Sequence, residues 1–308
     1  MDVHDYSPKF KTDINRVGAE CIRLILKTRR TGAINVLYPS INLYVNLPFY
    51  MKGVHISRSL TSIYDVLEDF KNKPVRYLEG FCYKIAKALL KKHEYSTLSE
   101  VYLSSDYYIS RRAPVTDNIS DEYCKIYASA SAERLNSGIK DRRFIGAEIV
   151  GLTYCPCLVE GLKEEFHNRL LKVFNLSEDL TKRIVEATPL ASHNQRCRVY
   201  ALIETSNKAH VDLDDLIDIL ISAPSAATFS ILKREDELHL IKKAAERAMF
   251  VEDVLREVSY NIVKRFYYMP DDFTVRIHVE SEESIHKYNL VCENKTNFKK
   301  LREAFNQL

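Results

Sequence analysis

The sequence predicts an α+β protein, and two observations carry that prediction. Stretches rich in β-branched and aromatic residues come as pairs or runs, and amphipathic stretches with apolar residues at helical spacing lie between them. The order of strand pair, helix and strand run then recurs loosely in the second half. This suggests two similar modules of about residues 1–140 and 141–308, although no strict internal sequence repeat is visible. No long Pro/Gly linker or low-complexity segment divides the chain, so the module boundary is placed near residues 138–143.

In the first half, residues 35–48 read as strands broken near Tyr38-Pro39. Residues 64–70 read as a short helix. Residues 78–92 make a stronger one, with Phe81, Ile85, Ala88 and Leu89 on one face and lysines on the other. Three strands follow at 98–109, 121–130 and 143–154. In the second half, 158–174 is an amphipathic helix. Ser177 starts another, with Glu178 and Asp179 in the first turn, where they favour the helix dipole. Residues 196–204 form a strand and 213–221 a helix opened by aspartates. Residues 235–266 form a long helical stretch interrupted near Met249-Phe250, 273–279 a strand, and 297–305 a closing helix.

Composition removes several function classes. Hydrophobic residues make up 46% and charged residues 28%, the balance of a soluble globular chain. Lys plus Arg number 45 against 42 Asp plus Glu, a net charge of +3, and the two signs are interleaved. A nucleic-acid partner is therefore not expected. No apolar run approaches the ~18 residues of a membrane span, and residues 1–16 lack the apolar core of a secretory signal. The expected setting is the cytoplasm, with no membrane partner. Of the 8 glycines, Gly146 and Gly151 have Walker-like spacing, but Leu152 and Thr153 follow where Lys and Ser/Thr are required. No G-x-G-x-x-G occurs. Seven cysteines, an odd number, do not make a disulfide framework.

Five short stretches carry the chemistry-bearing residues. Cys155-Pro156-Cys157 ends an apolar strand just before a helix. In an extended chain, residues i and i+2 share a face, so both sulfurs are expected to point into one site, near a helix start that favours a thiolate. Two buried cysteines capping a strand are the plain alternative. Ser192-His193-Asn194-Gln195-Arg196 surrounds a histidine with hydrogen-bonding side chains, which suits a shell that orients a ligand histidine or binds a phosphate. Lys233-Arg234-Glu235-Asp236-Glu237 is a charge run that could offer a carboxylate at a helix start. Ile277-His278-Val279-Glu280 puts His278 and Glu280 on one face of a strand. Gly53-Val54-His55-Ile56-Ser57-Arg58 presents His, Ser and Arg within four residues, a mixture able to bind an anionic oxygen. The other histidines, His286 among them, fall in charged or terminal stretches and receive no role. One thiolate, two imidazoles and one carboxylate would make a mixed site for Zn²⁺ or Fe²⁺, converging from four elements as catalytic sites do.

Taken in order from about Tyr38 to Glu280, these five motifs resemble those of the GTP cyclohydrolase family that joins the bacterial type IB and archaeal MptA-type enzymes. The bacterial enzymes keep Cys-Pro-Cys and His-Asn-Gln-Arg close together. Here a helical insertion at 159–187 separates them, as in the archaeal branch. The resemblance implies a tunnelling fold with two modules per subunit, an antiparallel sheet with helices on one face, and oligomeric assembly, a dimer or larger. It implies the metal ligands Cys155, His193, Glu235 and His278, with Cys157 the alternative sulfur. One divalent ion per site is implied, Fe(II) first and Zn(II) or Mn(II) as alternatives. His55, Ser57, Arg58, Gln195, Arg196, Glu237 and Glu280 become substrate-binding candidates, with Glu237 or Glu280 anchoring the guanine.

The implied reaction converts GTP to 7,8-dihydroneopterin 2′,3′-cyclic phosphate and releases formate and pyrophosphate. The residue types agree with it. Water must attack C8 of the guanine, the formamide must hydrolyse, and the exposed amine must close onto the ribose. A metal makes water a nucleophile at neutral pH, and arginines offer paired donors to phosphates. Three other readings stand beside this one: type IB activity giving the triphosphate, a tunnelling-fold nitrile reductase with a nucleophilic cysteine, and a non-catalytic oligomeric module with a closed structural metal.

Overall fold

Burial alternates along the strands with period two, and that alternation builds the molecule. The structure is a computed structural model in which residues 3–30, 33–70 and 73–305 are described. The strands and helices are β1 (Ile14–Arg23), β2 (Leu26–Arg30), β3 (Ala33–Leu37), β4 (Ser40–Leu47), α1 (Ile56–Glu68), α2 (Leu78–Lys92), β5 (Leu98–Arg112), β6 (Ile119–Leu135), β7 (Gly138–Tyr154), α3 (Pro156–Phe174), α4 (Glu178–Ala187), β8 (Asn194–Thr205), α5 (Leu213–Ser222), β9 (Ala226–Ala227), α6 (Arg234–Glu246), α7 (Val251–Arg265), β10 (Thr274–Glu282), β11 (Leu290–Asn297) and α8 (Phe298–Phe305). Hydrogen-bonded neighbours run in the order β1-β4-β5-β6-β7-β8-β10-β11, with β9 on β7 and a separate β2-β3 hairpin. The pairs β1/β4, β4/β5 and β10/β11 are antiparallel. The α+β class is as expected.

Two compact units divide the chain. One comprises Met1–Tyr107, Lys125–Ala147 and Leu202–Val211; the other comprises Tyr108–Cys124, Glu148–Ala201 and Asp212–Leu308. The expected cut at 140/141 is corrected: it falls inside β7. A long strand contributes one end to each unit, so the division does not follow chain order.

In the first unit, α1 and α2 pack together and α2 lies against β4. Ile41, Leu43, Val45, Ile63, Phe81, Ile85, Leu89 and Leu103 are its buried centre. In the second, α7 packs on β10, β11, α5 and α8, while α6 packs on β9. The helices α2 and α7 are both fifteen residues long and bury matching positions: Leu78 and Val251, Phe81 and Val254, Ile85 and Val258, Ala86 and Ser259, Leu89 and Ile262. The two helices thus share a burial pattern without sharing residue identity.

Several ends follow from local chemistry. Ser177 caps α4 by accepting from Leu180 N, and Asp212 caps α5 by accepting from Asp214 N and Asp215 N. Asn175 ends α3 at φ 49°, a conformation asparagine tolerates. Gly18 is required where β1 crosses β4, because a Cβ there would lie 1.8 Å from Leu43 O. The expected helix at 64–70 proves to be the second half of α1, which begins at Ile56. The strands β1, β2 and β11 were not expected. β1 and β11 are exposed or half-exposed throughout and lack an alternating apolar pattern. Among the described residues no helix is long and apolar enough to cross a membrane.

Candidate active site

The strand β7 stops at Tyr154 because Pro156 occupies the first turn of α3, where a missing N–H costs nothing. Cys155 is therefore the residue before the helix, at φ −70° and ψ 116°, and Cys157 is already helical. The expectation that both sulfurs share an extended face is corrected: the change to helical geometry intervenes. Cys157 is exposed, whereas Cys155 is half-buried.

Four hydrogen bonds fasten Tyr154 and Cys155 to the loop that carries His193. Cys155 N donates to His193 O at 3.2 Å. Ser192 Oγ donates to Cys155 O at 3.0 Å. The Tyr154 hydroxyl accepts from Ser192 N at 2.9 Å and donates to Leu190 O at 3.3 Å. Tyr154 is itself 2% exposed, in a cluster with Val159, Ala226, Leu240 and Ala244. A further bond, Met249 N to Tyr154 O at 3.1 Å, ties in the turn between α6 and α7. The backbone thus brings together two motifs that lie 38 residues apart in sequence.

Cys155 and His193 line one cavity of about 130 Å³ with Thr153, Gln195, Ser281, Glu283, His286 and Tyr288. His193 Nδ1 lies 3.1 Å from Gln195 Oε1. Gln195 Nε2 donates to Glu283 Oε1 at 3.2 Å, and Ser281 Oγ donates to the same oxygen at 2.8 Å. The rings of His286 and Tyr288 stack in parallel, 5.0 Å apart. Three thiols elsewhere, Cys82 and Cys197 buried and Cys292 half-buried, are poor competitors for the role of thiolate. Burial pushes Cys82 upward and Cys197 up to about 12, and Cys292 reaches about 11 for the same reason.

Strand parity sends other candidates elsewhere. On β8 and β10, Gln195, Cys197, Val279 and Ser281 are buried. Arg196, His278 and Glu280 alternate with them and face the other way. His278 does not line the cavity; it sits opposite Glu293 across the β10–β11 pair, Nδ1 to Oε2 3.9 Å. Glu280 accepts from Asn289 Nδ2 at 2.7 Å. Arg196 lines a different cavity, with Arg111, Glu122 and Ser230. The expected gathering of His278 with Cys155 and His193 is therefore corrected.

The acidic run at the start of α6 divides in the same way. Glu235 and Glu237 are exposed and line no part of the Cys155 cavity. Asp236 between them is fully buried and accepts from Lys233 N, Val115 N, Thr116 N and Thr116 Oγ1. These donors hold its carboxyl well below the usual carboxylate range despite desolvation. The buried acid of this motif is a fastener, and the two site candidates flank it.

In the first unit, His55 is 6% exposed while Ser57 and Arg58 stand exposed on the first turn of α1. The three do not present one common face. His55 Nε2 lies 3.4 Å from Asp5 Oδ1, and its ring is 4.9 Å from that of His4. His55 Nδ1 lies 3.4 Å from the Tyr95 hydroxyl, which meets His93 Nδ1 at 2.8 Å; His93 Nε2 meets Ser59 Oγ at 2.9 Å. Burial, then the charges of Arg58 and His55, lower His93 to about 4.

Sequence reasoning missed Tyr154, Glu283 and His286. For His286 the usable signal was its place just beyond β10, where the chain escapes strand parity. Tyr154 stood beside Cys155 in a motif but received no role, and for Glu283 no motif pointed inward.

Comparison with known proteins comes to the same place. The family described as type I GTP cyclohydrolase folE2 matches residues 1–292. GTP cyclohydrolase MptA of Methanothermobacter thermautotrophicus is 36% identical over 308 residues, covering 100% of this chain and 96% of that protein. GTP cyclohydrolase MptA 2 of Methanocella arvoryzae is 35% identical over 307 residues, covering 99% of each. Among solved structures, uricase from Arthrobacter globiformis superposes with a TM-score of 0.54 at 12% identity, covering 92% of this chain and 93% of that one. This last likeness concerns the fold alone, the tunnelling fold the motifs implied. With the match spanning almost the whole chain, the protein belongs to the type I GTP cyclohydrolase folE2 family.

Proposed function

We propose that this chain works in the cytoplasm as a homo-oligomeric, metal-dependent GTP cyclohydrolase, converting GTP to 7,8-dihydroneopterin 2′,3′-cyclic phosphate with release of formate and pyrophosphate. The observation that supports this most is the clamp that sets Cys155 and His193 on the wall of one cavity, beside His286. A thiol and two imidazoles are donors that suit Fe(II), the expected ion, and also Zn(II); Mn(II) favours oxygen ligands. Among the described residues, no group of three His, Cys, Asp or Glu side chains is assembled as a finished chelating site. The donors fit in kind and share the wall of one cavity. Cys155 and His193 would hold the ion, with His286 on the same cavity wall as the candidate third donor.

A bound divalent ion supplies the acidity that lets water add to C8 of the guanine at neutral pH. The remaining work falls to the chain. His193 is oriented by Gln195, so one ring nitrogen is committed and the other is left for the site. Protons leaving the attacking water and reaching the opened ring nitrogen would pass through the cavity that Glu283 and His286 line. Tyr288, stacked on His286, offers an apolar face to a planar heterocycle. The cavity is smaller than the ~300–1,000 Å³ of pockets that enclose whole ligands. That supports a site whose triphosphate end is held by a second copy, and light scattering should show a dimer or larger species.

The decisive experiment is anaerobic incubation of the iron-loaded protein with GTP, with formate assayed and the pterin product weighed by mass spectrometry. Formate with a cyclic phosphate product is expected. A triphosphate product would replace the product assignment, and no formate from metal-loaded protein would refute the activity.

A further inference from the structure

We infer that Gln195 and Glu283 are positioning residues that fix the tautomer of His193, with Nδ1 protonated and Nε2 left bare toward the cavity. The argument starts at Glu283. Its Oε1 receives two donors, Ser281 Oγ at 2.8 Å and Gln195 Nε2 at 3.2 Å. An ionised carboxylate can only accept, so the amide of Gln195 must turn its NH₂ to Glu283 and its oxygen the other way. That oxygen lies 3.1 Å from His193 Nδ1, and an amide oxygen can only accept. Nδ1 must therefore carry the hydrogen. Direction is passed along the chain from carboxylate to amide to imidazole.

The surroundings keep this chain in place. Gln195 is buried on β8, and Ser281 and Thr153 are each 1% exposed. Thr153 Oγ1 lies 3.4 Å from Ser281 Oγ and 3.5 Å from Gln195 O. The reversed amide would set two acceptor oxygens face to face at the Glu283 contact and is disfavoured. Histidines that ligate metals usually donate their second ring N–H to an outer partner, which fixes the ring and its basicity. Here that outer partner is an amide whose own direction is set by a carboxylate just beyond the end of β10. The tautomer stands on these contacts alone; its consequence for metal affinity rests on the function proposed above.

The test uses the full-length, metal-free chain labelled with ¹⁵N-histidine, the His193 signal being identified by its loss in His193→Gln. The wild type should show the Nδ1–H tautomer. In Glu283→Gln the partner can donate or accept, so a mixture of tautomers should appear and Zn²⁺ affinity should fall by ~10–100-fold. In Gln195→Glu two carboxylates meet, and affinity should also fall. The exchange Gln195→Glu with Glu283→Gln restores an acceptor facing His193 and a donor facing that acceptor, and should recover the single tautomer and much of the affinity. An Nε2–H signal in the wild type would overturn the inference without any variant. So would an unchanged tautomer in Glu283→Gln, or an exchange variant no better than the poorer single one. A correct tautomer in a chain that binds no zinc would uphold the positioning and remove the metal reading instead.

Discussion

Tyr154→Phe isolates the clamp from the packing around it. The ring stays, so the contacts with Val159, Ala226, Leu240 and Ala244 are kept, and one hydroxyl is lost. That hydroxyl makes two hydrogen bonds, from Ser192 N and to Leu190 O. At a net worth of about 1 kcal/mol each, the loop before His193 loses about 2 kcal/mol, or roughly a 30-fold shift toward its open form. Two other bonds, Ser192 Oγ to Cys155 O and Cys155 N to His193 O, remain and hold the loop in place. The loss should therefore be local. Amide exchange at residues 190–193 should accelerate by about that factor while exchange in α7 and β10 is unchanged, and Zn²⁺ affinity should weaken by up to the same factor. Exchange and affinity both equal to wild type would refute the idea that the Tyr154 hydroxyl holds the two donors together.

Cys155→Ser should abolish turnover and weaken metal binding, because an alcohol is a poorer ligand than a thiolate; Cys157→Ser, altering an exposed helical residue, should retain metal by elemental analysis. His286→Ala should lower metal content, while His278→Ala, on the opposite face of β10, should leave it unchanged; the reverse result would restore the ligand set first read from the motifs. Asp236 has a folded-state value below the ordinary ~3.9, so its stabilisation is full above that value and is lost as pH falls through the folded one. Thermal melts from pH 5 to pH 2 should show this loss in the wild type, and Asp236→Asn should be less stable at pH 7 with a flatter acid dependence.

What the sequence made legible follows from where burial is one-sided. The helix α2 was readable because its apolar residues recur at helical spacing on one face while Lys84, Lys87 and Lys91 recur on the other. β4 was readable because every second residue is buried. β11, with Leu290 and Val291 exposed among Glu, Asn and Lys, carries no such contrast. Cys155 and His193, singled out by motif, line one cavity, and the resemblance in five ordered motifs led to the correct family. His278 was misplaced because its motif was read without asking which strand face was already committed; Ile277 and Val279 are buried, so His278 must turn away. Cys-Pro-Cys misled for a related reason, since a proline at the first helical position announces a change of geometry between the two sulfurs.

The two ends of the strand order are not equivalent. β11 pairs with β10 in unbroken register over eight residues, from Ser281–Leu290 to Thr274–Asn297. β1 pairs with β4 through two register shifts, between Ile14 and Val17 and between Ala19 and Ile22, and Cys21 within it has φ 58°. Such interruptions spoil a free edge as a template, whereas a regular edge invites another strand. A copy that added its β11 to another β11 would complete a two-fold pair and stop. A copy that added β11 to β1 would make a head-to-tail contact, which closes into a ring or runs on as a filament according to its rotation. The irregularity of β1 thus makes strand addition at that edge less favourable than at the regular edge of β11.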